Sequence, residues 1–179
     1  MRIISGTHRG RRIIAPNNLP VRPTTDRAKE ALFNILNNEY YFQNLSVLDL
    51  FAGTGNIGYE FISRGVQRVV CVDKNNKCTR FIEQTSEILN APIQVIQSDI
   101  SSFLSKHNGS YDIVFADPPY DLELDKFEEF IHQIATKKTV RSNGVLIVEH
   151  SKHTDLSFID GFSDCRTYGN CVFSFFRND

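Results

Sequence analysis

Apolar positions along this chain recur in two rhythms. A spacing near 3.6 residues marks an amphipathic helix, and a short unbroken apolar run marks a strand buried on both faces. A hydroxyl or carboxylate cap at Thr24-Thr25-Asp26 opens the first helix, whose stripe is Ala28, Ala31, Leu32, Ile35 and Leu36. Val47-Leu48-Asp49-Leu50 predicts a buried first strand, and Ile57, Phe61 and Ile62 give the next helix its inner face, ended at Arg64-Gly65. The second strand covers about 68–73, and Cys78, Phe81, Ile82, Ile88 and Leu89 recur at helical spacing after it. Ile93-Gln94-Val95-Ile96 is the third strand, closed by Ser98-Asp99, and a short helix follows at about 101–106. Tyr111 to Ala116 is the fourth strand, Leu124, Phe127, Ile131 and Ile134 mark a further helix, and Gly144 to His150 is the fifth strand. The tail reads differently: two β runs, Cys165–Tyr168 and Cys171–Phe176, flank Gly169-Asn170, the pattern of a hairpin.

Ahead of the first helix, Ile3-Ile4 and Ile13-Ile14 bracket Gly6-Thr7-His8-Arg9-Gly10-Arg11-Arg12, which predicts a small β-hairpin with a basic tip. The prolines at 16, 20 and 23 make the piece after it an irregular linker or latch, since each disfavours helix before it and donates no hydrogen bond. Strands alternating with helices, then a hairpin, predict an α/β fold in three layers. Its sheet is seven-stranded and mostly parallel, with a C-terminal antiparallel hairpin and a small N-terminal hairpin/helix extension. We expect one domain over 1–179, divided into a basic N-terminal extension (1–24) and a catalytic core (25–179).

Composition changes this picture at two points. The net charge of −1 hides an asymmetry: residues 1–30 carry seven Arg/Lys against two acids, or +5, which leaves −6 for the rest. A basic arm on an acidic body points the arm at a polyanion, with Arg9, Arg11, Arg12 and Arg22 as the candidate contacts. The four cysteines form no C-x-x-C pair and read as reduced thiols, and the five histidines show no metal-ligand spacing and read mostly as surface residues, so no metal is expected. With no apolar signal region and no run of membrane-spanning length, the expectation is a cytoplasmic protein.

The chemistry concentrates after the first strand. Gly53, Gly55 and Gly58 in Asp49-Leu50-Phe51-Ala52-Gly53-Thr54-Gly55-Asn56-Ile57-Gly58 fit G-x-G-x-x-G, a turn that lets a ligand approach the backbone and the N–H groups of the following helix. Asp73, twenty residues past Gly53, is suited to ribose hydroxyls. Dinucleotide and S-adenosylmethionine sites share these features, but Asp49 separates them. A carboxylate there would repel a pyrophosphate and would suit the ammonium end of S-adenosylmethionine. Ser98 and Asp99, at the end of the third strand, are candidates to contact an adenine ring.

The fourth strand runs into Asp117-Pro118-Pro119-Tyr120. Neither proline has an N–H to donate, so the turn offers the Asp117 carboxylate and the Pro118 carbonyl as a fixed pair of acceptors. An exocyclic NH₂ has two hydrogens for such a pair, and Tyr120 supplies a face on which a base can stack.

These motifs together make the chain resemble the class I S-adenosylmethionine-dependent methyltransferases, and specifically the RsmD family of bacterial 16S ribosomal RNA (guanine-N2)-methyltransferases. The likeness runs nearly end to end: Met1 to Gly6 with Arg9-Gly10-Arg11, Arg22-Pro23-Thr24-Thr25-Asp26-Arg27 with Phe33-Asn34, Asp49 to Gly55 with Ser63-Arg64-Gly65, and the proline turn. Asp-Pro-Pro-Tyr occurs in many amino-methyltransferases; the Arg-Pro-Thr-Thr-Asp-Arg block is more particular. The resemblance implies that Asp49, Phe51, Gly53 and Gly55 cradle S-adenosylmethionine, that Asp73 takes its ribose and that Asp99 lies by its adenine. It also implies that Asp117, Pro118 and Tyr120 hold the guanine, and that the segment carrying Thr24 and Thr25 closes over the site. The implied partner is 16S ribosomal RNA within a small-subunit particle, met by a monomer. Two departures are visible. Asp73 stands where Glu is usual, with a shorter reach, and Tyr59 stands where a small aliphatic is usual. Asp-Pro-Pro-Tyr also fits adenine-N6 methylation of DNA or RNA. Asp49 disfavours a nicotinamide oxidoreductase, and the intact acceptor turn disfavours a silent RNA-binding module.

Overall fold

The computed structural model describes residues 1–16, 19 and 24–177. Arg22 and most of the predicted latch lie outside the described residues. The elements follow the expected order: α1 (Asp26–Glu39), β1 (Ser46–Leu50), α2 (Asn56–Ser63), β2 (Arg68–Asp73), α3 (Asn76–Leu89), β3 (Ile93–Gln97), α4 (Ile100–Lys106), β4 (Tyr111–Ala116), α5 (Leu124–Thr136), β5 (Val140–Ser151), β6 (Phe162–Tyr168) and β7 (Cys171–Phe176). The strands form one seven-stranded sheet in the order β3-β2-β1-β4-β5-β7-β6. β1 to β5 pair in parallel and the C-terminal hairpin joins β5 antiparallel.

Strand order reverses between β1 and β4, and their register, Leu50 beside Ala116, brings both carboxyl ends to the same edge. Ligands of open parallel sheets bind in that crevice. Alternation along the strands builds two cores. Val47, Cys71, Phe115 and Ile147 face α1, α2 and α3, while Leu48, Val70, Val114 and Val148 face α4 and α5. Phe33 of α1 meets Phe61 of α2 edge-on, ring centroids 4.6 Å apart, so α1 belongs to the first layer.

Several expectations need correcting. In α1 the buried face is Ala28, Lys29, Leu32, Phe33 and Leu36, with Ala31 and Ile35 only half-buried, because the helix packs against α2 as well as the sheet. Ile88, one of the apolar residues recurring at helical spacing in α3, is 72% exposed. β5 starts at Val140, ahead of the expected Gly144, and its register against β4 shifts between Tyr111 and Ile113. His150 is buried against the Ser174 hydroxyl, 2.8 Å away, and is no surface histidine.

The N-terminal hairpin forms as a single antiparallel bridge between Arg2 and Arg12, with further backbone bonds from Ile3 to Arg11 and from Ile13 to Met1. It docks on α2. The Glu60 carboxylate accepts the N–H groups of Ile4 (2.8 Å) and Ser5 (3.1 Å), and the Ser63 carbonyl accepts that of Thr7 (2.7 Å). Gly6 makes this contact possible: its φ is +85° and a Cβ there would stand 1.7 Å from the Ser63 carbonyl oxygen. Lys29, counted by sequence among the basic arm, is instead fully buried. Its ammonium donates to the Arg2 carbonyl and to Asn56 Oδ1, both at 2.8 Å, and lies 3.4 Å from Glu60. Burial pulls its pKa down, and Glu60 opposes that shift. No described helix is long and apolar enough to cross a membrane.

Candidate active site

The turn after β1 is strained in the way a ligand cradle requires. Phe51 (φ 59°), Gly53 (φ 55°) and Gly55 (φ 77°) all sit in the left-handed region, which costs a non-glycine residue such as Phe51 energy. The turn is held by Ala52 N–H on the Val72 carbonyl (3.0 Å) and by Gly53 N–H on Asp73 Oδ2 (2.8 Å). Asp73 Oδ1 accepts the Asn75 N–H at 2.8 Å, so backbone groups fix the carboxylate at both oxygens. Each oxygen still has acceptor capacity for a hydroxyl, which suits ribose despite the short side chain. Beneath the turn, a Cβ on Gly55 would come 2.8 Å from the ring of Tyr59, and one on Gly58 would come 2.8 Å from Cys71 Sγ. The large residue at 59 therefore fills the space under the cradle, its hydroxyl buried beside Thr85.

Asp49 is 2% exposed. Burial drives its carboxyl up to about 8; a hydrogen bond from the Gly58 N–H opposes the shift, and the neighbouring Asp73 charge adds to it. A cation placed beside this carboxyl would favour its charged form.

The Asp117 N–H donates to the Leu50 carbonyl at 3.3 Å, which ties the proline turn to the residue preceding the cradle. Asp117, Pro118 and Tyr120 thus share one cavity of about 520 Å³ with Asp49, Phe51 and Gly53. Thr24, Asp73 and Asp99 line it too, and its size is that of an ordinary cofactor site. Gly55 and Ser98 do not line it, and Thr25 faces a neighbouring cavity; Gly55 shapes the turn, Ser98 bonds back to Asp73 through its N–H (3.0 Å), and Thr25 caps α1 by accepting from Ala28 N–H (3.2 Å). Asp99 caps α4, accepting from Ser101 N–H at 3.0 Å, at the cavity edge.

Two residues that sequence reasoning missed bind the site together. Glu149, at the end of β5, accepts the Thr24 hydroxyl (2.7 Å) and the Tyr120 hydroxyl (3.2 Å). Asn56, the first residue of α2, donates to the Thr24 carbonyl at 3.2 Å and accepts from Lys29. Glu149 was readable only as the last acid of an apolar strand, and Asn56 only as the x of the glycine motif. A chain of buried polar contacts consequently runs from Tyr120 through Glu149, Thr24, Asn56 and Lys29 to Glu60 and the docked hairpin. On that hairpin Arg9, Arg11 and Arg12 are exposed, and they take part in no ion pair among the described residues. Among the described residues no three His, Cys, Asp or Glu side chains converge as a metal site needs.

A doubly wound sheet whose glycine turn, Asp73 and proline turn line one cavity at the strand switch point has the Rossmann-like methyltransferase fold. Over residues 1–177 the sequence matches the family described as Conserved hypothetical protein 95, and the chain belongs to that family. It is 32% identical over 161 residues to the ribosomal RNA small subunit methyltransferase D of Haemophilus influenzae, an alignment covering 87% of this chain and 81% of that protein. Its structure is similar to that of yhhF from Escherichia coli, with a TM-score of 0.86 at 28% identity over 100% of this chain and 98% of that one. It shares its fold with the T. thermophilus 16S rRNA N2 G1207 methyltransferase RsmC, solved with AdoMet and guanosine, at a TM-score of 0.73 and 20% identity over 90% of this chain and 45% of that one.

Proposed function

We propose that this protein transfers a methyl group from S-adenosylmethionine to the exocyclic N2 amine of a guanine in 16S ribosomal RNA. The observation that carries the reading is the bond from Asp117 N–H to the Leu50 carbonyl, which holds Asp117 and Pro118 on the cavity that Asp49, Phe51 and Gly53 also line and so supports an amine acceptor beside a cofactor site. The family relationship supports the RNA substrate.

The cavity fits S-adenosylmethionine on chemical grounds: a buried acid at Asp49 for its ammonium, a backbone-fixed acid at Asp73 for its ribose, and Asp99 beside Ile100 at the adenine end. The bound cofactor supplies a sulfonium-activated methyl, so the protein has mainly to orient the attacking nitrogen. Asp117 and the Pro118 carbonyl accept the two amine hydrogens, which shifts electron density onto nitrogen and gives the proton it must lose an acceptor. Tyr120, its hydroxyl held by Glu149, presents a ring for the base. Thr24, bonded to Glu149 and Asn56, lies against the cavity just ahead of α1. The exposed arginines of the hairpin, with Arg22, hold the RNA backbone. In this reading 1–24 is an RNA-binding extension of a single domain, and the protein works as a cytoplasmic monomer on a small-subunit particle.

The test is a mass map of small-subunit RNA from cells with and without the gene. Loss of one N2-methylguanine, restored by the purified protein and labelled S-adenosylmethionine, is the expected result. An unchanged map, or loss of an N6-methyladenine, would sink the assignment.

A further inference from the structure

A second cavity, of about 400 Å³, adjoins the first, and Tyr120 and Thr24 line both. It lies between the start of α1 and the turn of the β6–β7 hairpin, and its walls are polar and aromatic: Thr25, Arg27, Tyr168 and Asn170, with Glu149 among them. Glu149 is only 3% exposed, and its carboxyl oxygens accept from Tyr120 and Thr24, with the Cys171 thiol also against them. A carboxylate accepts and never donates, so any group that meets it in this cavity has to bring a hydrogen.

Asp117 and Pro118 line the first cavity, and the second meets it at Tyr120, one turn residue beyond Pro119, and at Thr24. We propose that the second cavity receives the acceptor base itself, and that Glu149 selects guanine by accepting its N1–H next to the amine that is methylated. Adenine brings a bare N1 lone pair to the same position, and the two acceptors repel. Tyr120 and Tyr168 offer rings for stacking, and the exposed Arg27 guanidinium is positioned for the phosphate of the extruded nucleotide. This inference rests on the guanine-N2 reading above and names the side chain that sets its specificity.

The experiment uses an RNA fragment spanning the mapped nucleotide, synthesised with either guanine or 2-aminopurine at that position. 2-Aminopurine keeps the C2 amine but has no N1–H. The native protein should prefer guanine in kcat/KM by about 5- to 150-fold, the worth of one good polar base contact. Glu149→Gln, whose amide can donate to a bare N1, should bring the two substrates within about threefold of each other. A merely structural role for Glu149 would slow both substrates and keep their ratio, and that outcome overturns the proposal. A second measurement needs no variant: 6-thioguanosine at the same position, irradiated with native protein and S-adenosylhomocysteine, should crosslink within residues 167–171. Crosslinks confined to α3 or α4 would overturn the pocket assignment. If the native protein methylates the C2 amine of neither RNA, it is the functional reading that fails, which is a different result from a retained ratio.

Discussion

Asp49 makes cofactor binding a titration. Burial holds its carboxyl at about 8, so at neutral pH the group is mostly protonated. If the ammonium of S-adenosylmethionine seats against it, binding selects the ionised form, and apparent affinity follows the fraction of protein already ionised. The sign follows directly: that fraction rises with pH up to about 8, so affinity rises too. With a carboxyl at about 8, the ionised fraction is about 1% at about pH 6 and about 24% at about pH 7.5, which makes the cofactor bind roughly 25-fold more tightly at the higher value. The cofactor's own α-amino group, ordinarily at about 7.7–8.0, is about one-third uncharged at the higher value, which trims the expected gain to roughly 15-fold. Titration calorimetry in two buffers of different ionisation enthalpy should also register nearly one proton released near neutrality. Asp49→Asn keeps the shape, removes the proton, and should bind weakly with a flat profile between the same two pH values. Native affinity that does not change across the window, or an Asn variant that keeps the slope, would refute the placement of the ammonium at Asp49.

Three other perturbations separate the parts of the site. Asp117→Ala should cut single-turnover methylation by about 10²–10³ while leaving the affinity for S-adenosylhomocysteine and RNA nearly unchanged, and a native rate at saturation would dismiss the acceptor pair. Replacing Arg9, Arg11 and Arg12 by Ala should flatten the log–log salt dependence of RNA binding by about 0.7 to 0.9 for each phosphate that is no longer neutralised, with cofactor affinity unmoved; an unchanged slope would make the hairpin tip a solvated surface. Lys29→Met leaves Glu60 buried without its lysine, and denaturant unfolding should register a drop in stability of about 3–5 kcal/mol, together with proteolytic exposure of the hairpin. A drop below about 1 kcal/mol would show that Arg64, 2.8 Å from Glu60, suffices to neutralise that acid.

Much of this protein can be read along the chain because the features concerned are local. The apolar strand runs, the helix cap at Thr24-Thr25-Asp26, the glycine turn and the Asp-Pro-Pro-Tyr turn each depend on a few consecutive residues, and all form where the sequence puts them. Their side-by-side arrangement follows from a general rule too, since alternating strands and helices wind into a parallel sheet whose switch point gathers the carboxyl ends. The tertiary structure alone decided the rest. Lys29 reads as one more cation of a basic arm, yet folding puts its ammonium against Glu60 and Asn56, partners 31 and 27 positions away, and turns it into the anchor of the hairpin. Glu149 reads as a strand-end acid, and only the packing of α1 and the proline turn around β5 gives it Thr24 and Tyr120 as donors. Hydrophobic periodicity reports which face of an element is buried and says nothing about which polar groups are buried with it. Those groups find partners across the sheet, and long-range pairing of that kind is set by the register and layering of the whole domain.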